Sequence, residues 1–73
     1  MAQSLRRGPH MPDSWGENWY QELVGVAVNY VLEEHNPAEI IRMMVDHYGV
    51  DIETARRAVK DAQDFLKRSR GYA

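Results

Sequence analysis

The side chains best suited to chemistry in this 73-residue chain are cations near its C-terminal end: Arg56, Arg57 and Lys60, followed by Lys67 and Arg68. On one helix they form a basic stripe, broken only by Asp61 and Asp64. Such a stripe is able to neutralise phosphates, read guanine edges or hold an acidic partner. It also serves as a plain solvated face, since cations near a helix C-terminus complement the helix dipole. Charge is unevenly spread. Residues 1 to 53 carry three cations against nine carboxylates, net −6, whereas residues 54 to 73 carry six cations against two carboxylates, net +4. The whole chain is at −2, which by itself does not suggest a nucleic-acid binder.

Other chemistry is poorly supported. Asp46 and His47 are adjacent on a helix and point in different directions, so they make no acid-base pair. His35 and His47 read as lacking a second ligand at i+3 or i+4, and no function falls on His10. The absence of cysteine removes disulfides and thiolate metal sites. Trp15 and Trp19 have the spacing of a ligand-stacking pair, but aromatic residues at helical spacing are more often core. The expectation is no enzyme, no cofactor and no metal.

Three helices are predicted to position the stripe. A capping box, Ser14-Trp15-Gly16-Glu17, places the first helix from Ser14 to about Glu34. Trp19, Leu23, Val26, Ala27, Tyr30 and Val31 share its inner stripe, and Val28 and Leu32 fall outside it. The same stretch alternates as a strand would, through Val24, Val26, Val28, Tyr30 and Leu32, but its cap and polar flanks keep helical spacing. The second helix has Asn36 as cap, Pro37 at its first position and Glu39 completing Asn-x-x-Glu. Ile40, Ile41, Met44, Val45 and Tyr48 are its apolar face. Gly49 can take the positive φ that ends a helix, Val50 can pack back, and Asp51 can cap a third helix running to about Ser69. Ile52, Ala55, Val59, Ala62 and Leu66 then form a narrow seam, with alanines that let another helix approach closely. Phe65 lies at its edge.

The fold expected is all-α, a three-helix domain over 14–69 with a helix-turn-helix made by the second and third helices. Residues 1–13, with two prolines and no apolar period, read as a flexible tail, and 70–73 as a frayed end. Chains of about 70 to 80 residues bury a marginal core, so self-association is the expected reinforcement. Val28, Leu32, Val59, Ala62 and Leu66 are its candidate contacts, for a homodimer or another protein. The longest apolar run, Leu23 to Leu32, is far short of the ~20 residues a membrane span needs. No apolar stretch follows Arg6 and Arg7, so a soluble, cytoplasmic protein is expected.

Gly49-Val50-Asp51-Ile52-Glu53-Thr54-Ala55-Arg56-Arg57-Ala58-Val59 resembles the turn and recognition helix of GntR-type helix-turn-helix repressors. The resemblance covers about twenty residues and implies that Thr54, Arg56, Arg57 and Lys60 face a DNA groove. Three departures stand beside it: Ile52 where a polar residue is usual, an acid at Glu53, and no wing-forming hairpin after the helix. Tyr30 to Leu66, through Ala38-Glu39-Ile40-Ile41 and Tyr48-Gly49-Val50-Asp51, is also similar to the helical part of PqqD-like peptide-recognition elements. That likeness implies peptide or protein binding, although the hairpin such elements use for strand addition is missing. Two functions follow: a small DNA-binding regulator, or a non-enzymatic adaptor acting through apolar helix faces.

Overall fold

The computed structural model describes residues 7–70. A 3-10 segment, Asp13–Asn18, leads into α1 (Trp19–Leu32), α2 (Pro37–Tyr48) and α3 (Ile52–Arg70). The chain is all-α, with no strand among the described residues. In α1, Leu23 and Ala27, one helical turn apart, are both fully buried, so helical periodicity prevails over the valine alternation.

The first helix begins later than its capping box suggests. Gly16 has φ 54° and ψ −138°, which no helix accommodates, and no side chain caps the segment. Glycine's freedom from a Cβ makes this kink cheap, and α1 starts only at Trp19. At its other end α1 closes before Glu34. The His35 N–H donates to the Tyr30 carbonyl at 3.1 Å and the Glu34 N–H to the Val31 carbonyl at 2.9 Å. This is the paired bonding of a Schellman turn, and it puts Glu34 at φ 65°, a conformation glycine usually occupies.

The second helix follows its Asn36, Pro37 and Gly49 signals, whereas the Glu39 side chain lies beside His35 rather than closing a box with Asn36. Asn36 Oδ1 accepts the Ala38 N–H at 2.9 Å, Pro37 opens the first turn, and Gly49 ends the helix at φ 75°. The Gly49 N–H donates to the Val45 carbonyl at 3.1 Å, and Val50 turns back into the core. Asp51 then precedes α3, its carbonyl accepting the Ala55 N–H at 3.1 Å.

Helix α3 packs on both α1 and α2, while α1 and α2 barely touch. Leu23, Ile40 and Met44 fill the centre, each worth about 1.5–3 kcal/mol by burial. Ala27, Ala55, Ala58 and Ala62 have no exposed surface, which lets the helices approach closely. The alanine seam of α3 therefore serves this chain's own core. Val59 and Ala62 are consumed by it and are not available to a second subunit.

Residues 8–13 depart from the expected flexible tail. Gly8 and Met11 are buried, and Met11 belongs to the same core as Ile40 and Met44. The His10 N–H donates to the Tyr48 carbonyl at 3.3 Å. Arg7 holds the strap from outside, its guanidinium donating to the Pro12 carbonyl at 3.0 Å and to Asp13 at 3.3 Å. A lack of periodicity concealed this packing, because one methionine and one close-packed glycine make no pattern. The remainder of the predicted tail, 1–6, and the end, 71–73, lie outside the described residues. Among the described residues no helix is long and apolar enough to cross a membrane.

Candidate functional site on the α2–α3 face

Helix α2 carries more apolar surface than the core takes. Ile40 and Met44 are buried, whereas Ile41 and Val45, one residue round the helix, stay half-buried on its outer side. Across from them α3 begins with Ile52, a large aliphatic side chain left 56% exposed. Between the two helices lies an open groove of about 560 Å³ lined by Ala38, Ile41, Arg42, Val45, Asp46, Ile52 and Arg56. A second hollow of about 550 Å³ shares Ile41 and Arg56 with it and extends along Pro37, Arg57, Val59, Lys60 and Gln63.

The charged residues lining the two hollows are Arg42, Arg56, Arg57 and Lys60 against a single carboxylate, Asp46. This +3 balance stands out on a chain whose net charge is −2. Among the described residues none of these four cations lies within ion-pair distance of a carboxylate; the ion pairs are Arg7 with Asp13, and His35 with Glu33 and Glu39. The face thus combines an apolar floor with a rim of net positive charge.

Of the residues the repressor likeness assigns to a DNA groove, Arg56, Arg57 and Lys60 are exposed and reach this face. Thr54 does not. It is 1% exposed, and its hydroxyl donates to Asp51 Oδ1 at 3.4 Å. Thr54 lies one turn before Ala58 on the buried stripe of α3, so it is a core residue and no groove contact. Ile52 leaves the predicted seam altogether, and Ala58, which the seam omitted, takes a full place in the core. Of the predicted contact residues outside the core, Val28 and Leu66 are half-buried and Leu32 is 61% exposed.

Arg42 and the pair Ile41 and Val45 were missed as site residues. The available signal was the width of the α2 apolar stripe, five residues in twelve, which exceeds what one neighbouring helix covers.

Elsewhere the chemistry is structural. Tyr20 donates to Asp61 Oδ2 at 2.6 Å and ties α1 to α3. Burial, then the Asp61 bond and charge, push the Tyr20 phenol well above the ordinary tyrosine range, with Arg57 opposing them. Burial, with Tyr30 nearby, also raises the Tyr48 phenol. Trp15 lies against Tyr48 with ring centres 5.2 Å apart, and Trp19 meets Tyr20 edge-on at 5.9 Å. Both tryptophans pack on the core. Carboxylates do stand at i+4 from both histidines, Glu39 from His35 and Asp51 from His47, but the Gly49 corner separates the second pair. His35 Nδ1 is 3.7 Å from Glu39 and its Nε2 is 3.4 Å from Glu33, so the carboxylates flank different ring nitrogens. Among the described residues no group of three His, Asp or Glu side chains is placed to hold a metal ion. The adjoining cleft of about 180 Å³, lined by Tyr30, His35, Glu39, Ile40 and Met43, is smaller than the roughly 300–1,000 Å³ usual for a small-molecule pocket. No protein-family model, curated protein or solved structure matches this chain, so the reading of the α2–α3 face rests on its own geometry.

Proposed function

We propose that the protein is a non-enzymatic binding module that takes up a protein partner on its α2–α3 face. One observation carries this reading: Ile41, Val45 and Ile52 floor a groove rimmed by cations that have no carboxylate partner in the described chain. Apolar side chains contribute affinity when a partner's apolar groups exclude water from them, and flanking charges set orientation and encounter rate. A phosphate backbone would leave that floor uncovered. The low overall charge points the same way, since non-specific DNA binding draws almost entirely on cations.

A helix-turn-helix regulator is the second reading. It is supported by the left-handed Gly49 corner and by Arg56, Arg57 and Lys60 exposed on the helix that follows. Leu32, at the end of α1, is the feature that best supports self-association in either case. Titration with random-sequence duplex at low salt separates the two functions. Typical non-specific constants lie at about 10⁻⁴ to 10⁻⁶ M even at physiological salt, so a DNA-binding protein should shift the duplex at ~100 μM. The adaptor reading expects no shift. A shift that weakens steeply with salt, and that Arg57→Ala reduces together with the salt slope, would establish the regulator instead.

A further inference from the structure

We infer that the occupant of the α2–α3 groove is a short acidic amphipathic helix, an inference that rests on reading this face as a protein-binding site. Chemistry and shape both lead there. A peptide can add to a sheet edge, lie as a polyproline helix on aromatic residues, present a phosphate to an arginine cluster, or lay a helix into a groove. No strand exists among the described residues, so no edge is offered. No aromatic side chain lines either hollow, so the polyproline mode has no platform. An arginine cluster alone would serve a phosphate or a bare acidic run, but neither uses Ile41, Val45 and Ile52. A helix uses both features at once, its apolar stripe on the floor and its carboxylates against Arg42, Arg56 and Lys60.

The dimensions agree. From Ile52 to Gln63 the groove follows α3 for about 16 Å, or three helical turns. A docked helix of about three turns presents apolar anchors at i, i+3 or i+4, and i+7 over that distance. The α3 wall carries Arg56, Arg57 and Lys60 with no acid, whereas the α2 wall sets Asp46 one turn from Arg42, so the acidic residues of the docked helix belong chiefly on the flank that faces α3.

The probe is a fluorescein-labelled synthetic peptide of about 14 residues, with leucines at helical spacing and glutamates chiefly on one flank. Three controls accompany it: a scrambled peptide of the same composition, a peptide with lysine for every glutamate, and random-sequence duplex. Anisotropy with the full chain is expected to show saturable binding of the acidic amphipathic peptide that weakens as salt rises. The scrambled peptide should bind at least about tenfold more weakly, and the lysine peptide should not bind. Arg56→Glu and Ile52→Asp should each weaken binding at least about tenfold. Both residues are exposed, so the core is left intact, and circular dichroism verifies it. Methyl shifts at Ile41, Val45 and Ile52 on peptide addition provide a readout that needs no variant. Equal binding of the amphipathic and scrambled peptides, or no peptide binding at about 1 mM, a constant worth little more than 4 kcal/mol, would overturn the inference while leaving a protein-binding face possible. Duplex binding that Arg56→Glu abolishes, with no peptide binding, would overturn the parent reading as well.

Discussion

Gly49→Ala tests the corner that joins α2 to α3, and its cost has two separable parts. The backbone there is at φ 75°, which a residue with a Cβ occupies at a penalty of about 1 kcal/mol. The added Cβ would also stand 2.8 Å from Pro9 Cδ and 3.2 Å from His10 Cδ2, inside van der Waals contact with the N-terminal strap. A proline ring cannot rotate away, so the strap must lift. Lifting it exposes Met11, worth about 2 kcal/mol of burial, and breaks the His10 to Tyr48 hydrogen bond, worth about 1 kcal/mol. The freed residues regain conformational entropy that offsets part of this loss. The expected total is about 2–3 kcal/mol, which in a domain of this size lowers the melting temperature by about 10–20 °C. Gly8→Ala acts on the same strap from its other side, because its Cβ would overlap the Tyr48 carbonyl oxygen. Once either substitution has displaced the strap, the other has less to lose, so Gly49→Ala in a Gly8→Ala background should cost only about 1 kcal/mol, its backbone part. Urea unfolding of the wild type, both single variants and the double variant closes the cycle. Costs that add to within about 0.5 kcal/mol would refute the argument that both glycines are needed for one strap.

Two further outcomes are expected. Glu34→Gly should stabilise the chain by about 0.5–1 kcal/mol in urea unfolding, because it relieves the positive φ that closes α1; a loss of stability would show that the Glu34 side chain contributes more than its strain costs. Tyr20 is held protonated in the folded state by burial and by Asp61, so its phenol pKa is raised above the unfolded value of about 10. Its contribution is complete below that value and is lost as pH climbs from about 10 toward the folded pKa, because the unfolded chain ionises first. Tyr20→Phe should flatten that part of the alkaline stability curve, and an unchanged slope between wild type and variant would contradict it.

How much of this molecule was legible in the residues depends on the range of the interaction involved. Asn36, Pro37 and Gly49 act on backbone groups within a turn of themselves, and all three sit where their chemistry predicts. The all-α class was legible for the same reason, because apolar spacing over two or three turns is a local signal. The Ser14 box failed although it is equally local, since Gly16 inside it could leave helical space at little cost. The closing turn at Glu34 carried no glycine to announce it. Burial was settled only by packing. Thr54, Ala55, Ala58, Val59 and Ala62 face inward because α1 and α2 both lie against α3, and no spacing rule distinguishes a helix of the same chain from one of a partner. Met11 joined the core beside Ile40 and Met44, about thirty residues on in the chain, and Gly8 packs on the Tyr48 backbone, forty residues on, with nothing periodic to mark either. The candidate site has the same origin. The basic residues of α3 were visible at once, but the groove exists because α2 turns only half of its apolar stripe inward and leaves Ile41 and Val45 beside Ile52, an arrangement fixed by where two helices cross.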